Sequence, residues 1–114
     1  MMEIKPRIDY ETFSKVDMRV GIIMDVQDFP EARKPAYKLR IFFGDDIGYK
    51  NSSAQITNYP KQNLIGMRVI AVVNFPPKQV ANFKSEVLVL GALTNNGVRL
   101  IQADDLSQPG DRIA

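Results

Sequence analysis

The chain has neither cysteine nor histidine among its 114 residues. Without cysteine it has no disulfide, no thiolate nucleophile and no Cys/His zinc site. Without histidine it lacks the usual general base near neutral pH, and a Ser-His-Asp or Cys-His arrangement is impossible. A catalytic domain that works through aspartate or lysine is the enzyme class left open. We therefore expect a protein that is not an enzyme and that holds no cofactor and no metal.

Long apolar runs are also missing, and none approaches the roughly 18 residues of a membrane span. Residues 1–6 lack the basic-then-apolar layout of a signal peptide. These two absences predict a cytoplasmic protein without membrane insertion. The length of 114 residues suits a single domain over 1–114, long enough to bury a core.

The net charge is small, but the charges are unevenly distributed along the sequence. Lysine and arginine number 15 against 13 acids, which gives a net charge of +2. Residues 47–85 contain no acid and five bases, which are Lys50, Lys61, Arg68, Lys78 and Lys84. A second basic group consists of Arg33, Lys34, Lys38 and Arg40. We expect the acid-free segment to lay its bases along one flank that faces phosphate, with an ordinary solvated face as the alternative.

Short alternating segments predict strands and almost no helix. Residues 17–28 alternate, with Ile23 as the exception, and the face predicted to be buried consists of Met18, Val20, Ile22, Met24 and Val26. Further strands are predicted at 37–43, 49–57, 66–75, 86–93 and, after an Asn-Gly turn, 98–102. Residues 9–15 predict one helical turn capped by Asp9.

Five main strands separated by Gly, Pro and Asn turns predict an all-β fold. Their number and spacing favour a five-stranded Greek-key OB-fold barrel with short terminal extensions, and an SH3-like barrel is the structural alternative. The open face of an OB barrel commonly binds oligonucleotides.

Two segments carry the residue types of a binding surface. Residues 51–57 crowd small hydroxyls and amides into one strand, which is either a hydrogen-bonding face or an ordinary polar face exposed to solvent. Residues 72–88 interleave Lys78 and Lys84 with Phe75 and Phe83 around a rigid Pro-Pro pair. Cations for phosphates and rings for unstacked bases suit single-stranded or looped RNA, whereas packing of both rings in the core is the alternative.

Four stretches, at 13–21, 29–39, 52–57 and 72–91, follow one another as in the tRNA-binding domain family, which the chain resembles. Within that family, residues 29–33, 52–57, 73–77 and 83–91 are similar to the CsaA group. The resemblance implies an OB-fold homodimer joined through its terminal segments, affinity for tRNA, and a role in protein export as a chaperone for preproteins. By the same resemblance, the family's loop motif matches Asn74, Pro76 and Lys78, and its later serine matches Ser85. Many tRNA-binding relatives have Gly-Met where this chain has Val87 and Leu88, a departure that agrees with the CsaA group.

We predict a homodimeric tRNA-binding protein of this kind. The cations expected to contact phosphates are Arg33, Lys34, Lys38, Lys78 and Lys84. Hydrogen bonds to RNA are expected from Ser53, Gln55, Asn74 and Ser85, and a stacking or apolar surface is expected from Phe75. The rival hypothesis is a chaperone that binds unfolded preprotein or peptide in an apolar groove at the dimer, with incidental affinity for RNA.

Overall fold

The computed structural model describes residues 3–114, and within that range it has two short helices and nine strands. The helices are α1 (Tyr10–Ser14) and α2 (Lys61–Leu64). The longer strands are β1 (Met18–Asp28), β2 (Tyr37–Phe42), β3 (Tyr49–Ala54) and β4 (Arg68–Val72). The shorter strands are β5 (Lys78–Val80), β6 (Phe83–Ser85), β7 (Leu88–Val89), β8 (Gly91–Thr94) and β9 (Gly97–Leu100).

Five of these strands form one antiparallel sheet in the order β3-β2-β1-β4-β7. The sheet curls until its two ends meet, which gives a nearly closed five-stranded barrel of the OB type and confirms the predicted fold class. The pairs β5–β6 and β8–β9 are separate two-stranded hairpins. The β5–β6 hairpin packs against β3, and the β8–β9 hairpin is bonded to Asn58 and Tyr59.

β3 is an edge strand of the hydrogen-bonded sheet, and the barrel closes there mainly through side chains, with one backbone-to-backbone bond. The backbone N–H of Ser53 donates to Ser85 Oγ at 3.0 Å, and the N–H of Asn51 donates to Glu86 Oε1 at 2.9 Å. The N–H of Glu86 donates in return to the Asn51 carbonyl at 2.8 Å. Buried Ser52 donates its hydroxyl to the Val87 carbonyl at 3.1 Å. We call this contact between residues 51–53 and 85–87 the closing seam; it occupies backbone groups that an edge strand otherwise leaves open.

The core lies inside this barrel, and every second residue of β2 contributes a side chain to it. Tyr37, Leu39 and Ile41 point inward, and the residues between them point out. Fully buried residues from other elements pack against this row, among them Phe43, Leu64 and Val69. The predicted alternation of β2 is therefore confirmed.

The face predicted for β1 is only partly right, since Val20 is buried and Val26 packs against the core as predicted, but the residues between them differ. Gly21 and Ile23 face the core, since Ile23 is fully buried and a Cβ on Gly21 would lie 2.6 Å from core side chains. The pairing of β1 with β2 then shifts between Ile23 and Asp25, which makes Met24 the extra residue of a β-bulge. Met24 is 47% exposed, and Val26 packs against the core. One extra residue reverses the alternation of the strand.

Four predicted strands are shorter or divided, and α2 was not predicted. β3 ends at Ala54 rather than at residue 57, and β4 ends at Val72 rather than at residue 75. The predicted strand 86–93 is divided because β7 pairs with β4 whereas β8 pairs with β9. Strand 98–102 is found as β9, which ends at Leu100.

The helical turn at the N-terminal side is confirmed as α1; one side chain caps it and another attaches it to the barrel. Asp9 caps α1 by accepting the Thr12 N–H at 2.7 Å. The Asn74 amide joins α1 to the end of β4, because it accepts the Asp17 N–H at 2.9 Å and donates to the Lys15 carbonyl at 2.7 Å.

Arg19 joins the N-terminal and C-terminal segments at one end of the barrel. Its Nε donates to Asp17 at 2.6 Å, and Nη1 donates to the Gly110 carbonyl at 3.1 Å. The hydrogen bond from Arg19 lowers the pKa of the Asp17 carboxyl below its ordinary value of 3.8. Asp17 therefore stays ionised at neutral pH and keeps this connection intact.

The closing seam predicts a pair of variants with different stabilities. In Glu86→Ala the N–H of Asn51 loses its acceptor, and we expect the free energy of unfolding to fall by about 1–2 kcal/mol. Glu86→Gln keeps an amide oxygen at the same position and is expected to change stability by less than half as much. Urea denaturation followed by circular dichroism measures both, and equal losses in the two variants would contradict the seam.

Candidate nucleic-acid interface

A groove of about 1560 Å³ opens beside the closing seam. Its walls come from the loop after β1, the end of β3, the β5–β6 hairpin, residues 85–91 and the β8–β9 hairpin. The floor is mainly apolar and includes Ala54, Ile56, Val87, Leu88 and Leu100. We refer to this feature as the groove.

Seven of the ten predicted RNA-contacting residues line the groove: Arg33, Lys34, Ser53, Gln55, Phe75, Lys78 and Ser85. The cations among them stand on its rim, two in the loop after β1 and Lys78 at the start of β5. Phe75 is 52% exposed, so its ring is a surface feature rather than part of the core. The structure thus brings together residues that lie far apart in the sequence.

The other three predicted residues do not line the groove. Asn74 is exposed, but its amide is occupied by the bonds to α1. Lys84 lies exposed on β6 between Phe83 and Ser85. Lys38 lies on the outer side of β2, with Nζ 5.5 Å from the centre of the Phe29 ring.

The polar stretch on β3 serves the fold and the groove at once. The Ser53 N–H and the Ser85 hydroxyl form one bond of the closing seam. Ser52, which was not among the predicted contacts, is buried and belongs wholly to the seam. Gln55 is exposed beyond the end of β3, where it lines the groove.

The acid-free segment does not form the single flank that was predicted. Lys61 lies 3.0 Å from the Asp28 carboxylate, and Arg68 donates to the Ser107 carbonyl at 3.0 Å. Lys50 lies opposite Ile41 on the strand pair β2–β3, on the inward side of the sheet. β4 pairs with one edge of β1 and β2 pairs with the other edge. Bases that lie in one stretch of the sequence therefore end up in different parts of the barrel. Only Lys78 of the five bases lines the groove.

Carboxylates are sparse around the groove. Glu86 is the one acid among the residues that line it, and its Oε1 is bonded to the Asn51 N–H in the seam. Glu31, near the loop after β1, accepts from the Asn82 amide at 3.4 Å. The rim is therefore positive, although it carries fewer cations than the sequence suggested.

Sequence reasoning missed the outer face of β1–β2–β3 as a surface of its own. The register places Asp25, Arg40 and Asn51 in one row across the three strands. The next row consists of Gln27, Lys38 and Ser53. The alternation of β2 could have predicted this surface, because residues 38, 40 and 42 share the side of the strand opposite the core.

Within residues 3–114, no cluster of His, Cys, Asp or Glu is arranged to hold a metal ion. In the same range, no helix has the length and apolar character needed to cross a membrane.

Comparison with known proteins identifies the family. The family model described as "Putative tRNA binding domain" matches residues 18–112. Methionine--tRNA ligase of Thermococcus onnurineus is 31% identical over 106 residues, which cover 93% of this chain and 14% of the ligase. The chain thus spans about one seventh of that relative's length.

Two solved structures match nearly the whole chain. The CsaA chaperone protein from Picrophilus torridus is 68% identical, with a TM-score of 0.92, and the match covers 95% of this chain and 100% of that one. The chaperone CsaA from Bacillus anthracis strain Ames is 44% identical, with a TM-score of 0.88 and coverage of 96% and 100%. The chain therefore belongs to the tRNA-binding domain family, in the group that contains the CsaA proteins.

Proposed function

We propose that the protein binds tRNA without transforming it, through the groove rim and the adjoining β5–β6 hairpin. The observation that carries this proposal is that Arg33, Lys34 and Lys78 all line the groove, where Glu86 is the one acid among the lining residues. Phosphate contacts of this kind give RNA-binding proteins most of their affinity and fix the position of the ligand.

The rim cations are available for a ligand. The ion pairs found within residues 3–114 are Arg19–Asp17 and Lys61–Asp28, and neither involves the rim. Phe75 offers an exposed ring beside the cations, and aromatic rings stack with unpaired bases. The family match to a tRNA-binding domain supports tRNA as the RNA concerned.

We further propose that the protein acts as a homodimer joined through its terminal segments. Large apolar side chains are exposed on both segments: Ile4, Ile8, Tyr10, Phe13, Ile101 and Leu106. Ile4 is 98% exposed and Leu106 is 87% exposed, which is costly in water unless a partner covers them. The isolated bridge between Arg19 and Arg112 joins the C-terminal segment to the start of β1, which directly follows the N-terminal segment.

A second candidate function is favoured by the apolar floor of the groove. An extended apolar segment of an unfolded protein would cover Leu88, which is 50% exposed, and the neighbouring floor. Both CsaA structures are named as chaperones. In this role the protein would hold preproteins for export.

The rim cations predict a change in salt dependence. In Lys34→Ala/Lys78→Ala, we expect the plot of log K against log salt for bulk tRNA to flatten by about 1.5 units, for two lost phosphate contacts. The control Lys61→Ala, in which the lost cation faces Asp28, should leave the slope unchanged. Filter binding at four salt concentrations measures these slopes, and an equal effect of the two variants would place the RNA elsewhere.

The floor predicts a different response for an unfolded protein. Leu88→Ser is expected to weaken binding of a permanently unfolded protein about tenfold through lost apolar burial. The matched control Ile65→Ser removes an apolar side chain outside the groove and should have no effect. Fluorescence titration at low and high salt measures both, and binding that disappears with added salt would contradict this second function.

If the protein is a dimer, charged residues among the exposed apolar side chains of its terminal segments should dissociate it into monomers. Ile8→Glu/Leu106→Glu should sediment as a monomer, because the carboxylates cannot be buried unpaired. Since both residues are exposed in the protomer, its circular dichroism should not change. Ile65→Glu serves as the control outside the terminal segments, and a monomeric native protein would refute the dimer.

A further inference from the structure

A second, smaller depression lies on the outer face of β1–β2–β3. Its volume is about 100 Å³, and no residue lines both it and the groove. Its polar wall consists of Asp25, Gln27, Lys38, Arg40 and Asn51, and Phe83 forms one edge. We call this feature the base pocket.

Two opposite charges stand side by side in the base pocket without pairing. Asp25 and Arg40 are direct partners across β1 and β2, where opposite charges normally attract each other. Yet neither belongs to the ion pairs found within residues 3–114. Other contacts hold them apart.

The contacts that separate these charges are specific. The Arg40 guanidinium lies over the Tyr49 ring, with its central carbon 4.5 Å from the ring centre. Asp25 Oδ2 accepts from the Gln27 amide at 2.9 Å, which leaves Oδ1 without a donor among the described residues. The wall of the depression therefore carries an acceptor on Asp25 and donors on Arg40 that are not paired with each other.

Aromatic rings lie on the same outer face: Phe83 at the edge of the depression, and Tyr49 under Arg40 outside it. The Tyr49 ring lies 5.0 Å from the Phe42 ring, which extends the Arg40 stack along the outer face. On the other side, Lys38 Nζ lies 5.8 Å from the Phe83 ring. Stacking surfaces with a nearby cation are what an unpaired nucleotide requires.

We propose that the base pocket binds the edge of an unpaired base and prefers cytosine to uracil. This inference depends on the proposed RNA binding and specifies what the RNA must expose. Cytosine presents an amino donor next to acceptors, which complements an acceptor at Asp25 and donors at Arg40. Uracil presents a carbonyl oxygen where cytosine has the amino group, and that oxygen would face the Asp25 carboxylate.

The test compares two RNA hexamers, oligo(rC) and oligo(rU), by fluorescence anisotropy at neutral pH and constant salt. The native protein is expected to bind oligo(rC) about tenfold more tightly, the usual scale of one well-matched base contact. In Asp25→Asn the ratio of the affinities for oligo(rC) and oligo(rU) should fall to about one, because the amide offers both a donor and an acceptor. Total affinity should not fall in this variant, since a negative charge is removed.

Two controls separate base recognition from charge and from stacking. Asp46→Asn removes the same charge in the turn between β2 and β3 and should leave the C-to-U preference intact. Arg40→Ala should weaken both oligomers about tenfold, as expected for a lost stacking partner. Arg40→Lys keeps the charge but not the plane, so it should lose affinity while retaining the salt slope.

Each outcome is decisive. Equal binding of the two oligomers by the native protein, or a C-to-U preference that survives in Asp25→Asn, would overturn the base pocket while salt-dependent tRNA binding still stands. If neither the oligomers nor bulk tRNA bind, the proposed function itself fails.

Discussion

The closing seam is the constraint on which the other features of the molecule depend. β3 ends the hydrogen-bonded sheet, and an exposed edge of this kind is a site for unwanted pairing. Ser85 and Glu86 cover it by accepting the backbone N–H groups of Ser53 and Asn51. Side chains rather than a backbone ladder thus turn the curled sheet into a barrel.

The seam also fixes the position of two surfaces. Residues 85–87 continue directly into the wall of the groove, whose rim holds Arg33, Lys34 and Lys78. Asn51 lies on the β3 side of the seam and forms part of the base pocket on the outer face. Phosphate binding at the rim and base recognition in the pocket are separate tasks, and the first supplies affinity while the second supplies specificity. An RNA that binds at the rim and crosses the β5–β6 hairpin can therefore place an unpaired base in the base pocket on the outer face.

Much of the fold and most of the groove followed from local patterns. The alternation of β2 and the turn residues predicted the barrel, and the cations on two loops predicted the rim. The burial of β1 followed only in part: Val20 and Val26 are covered as predicted, but the exchange of Ile23 and Met24 did not follow, because Met24 suits either face and a bulge leaves no mark in hydrophobicity. The single basic flank failed because strand order, a long-range property, carries Arg68 and Lys61 away from Lys78. Asn74 was expected to bind RNA on the strength of a motif, yet its amide is used to attach α1.

Amide hydrogen exchange tests the seam most directly, residue by residue. If Ser85 and Glu86 close the barrel, the amides of Ser53 and Asn51 will exchange as slowly as those paired between β1 and β2. Exchange at these two amides as fast as at the exposed turn of residues 44–46 would show an open edge. It would also remove the structural basis for both the groove and the base pocket.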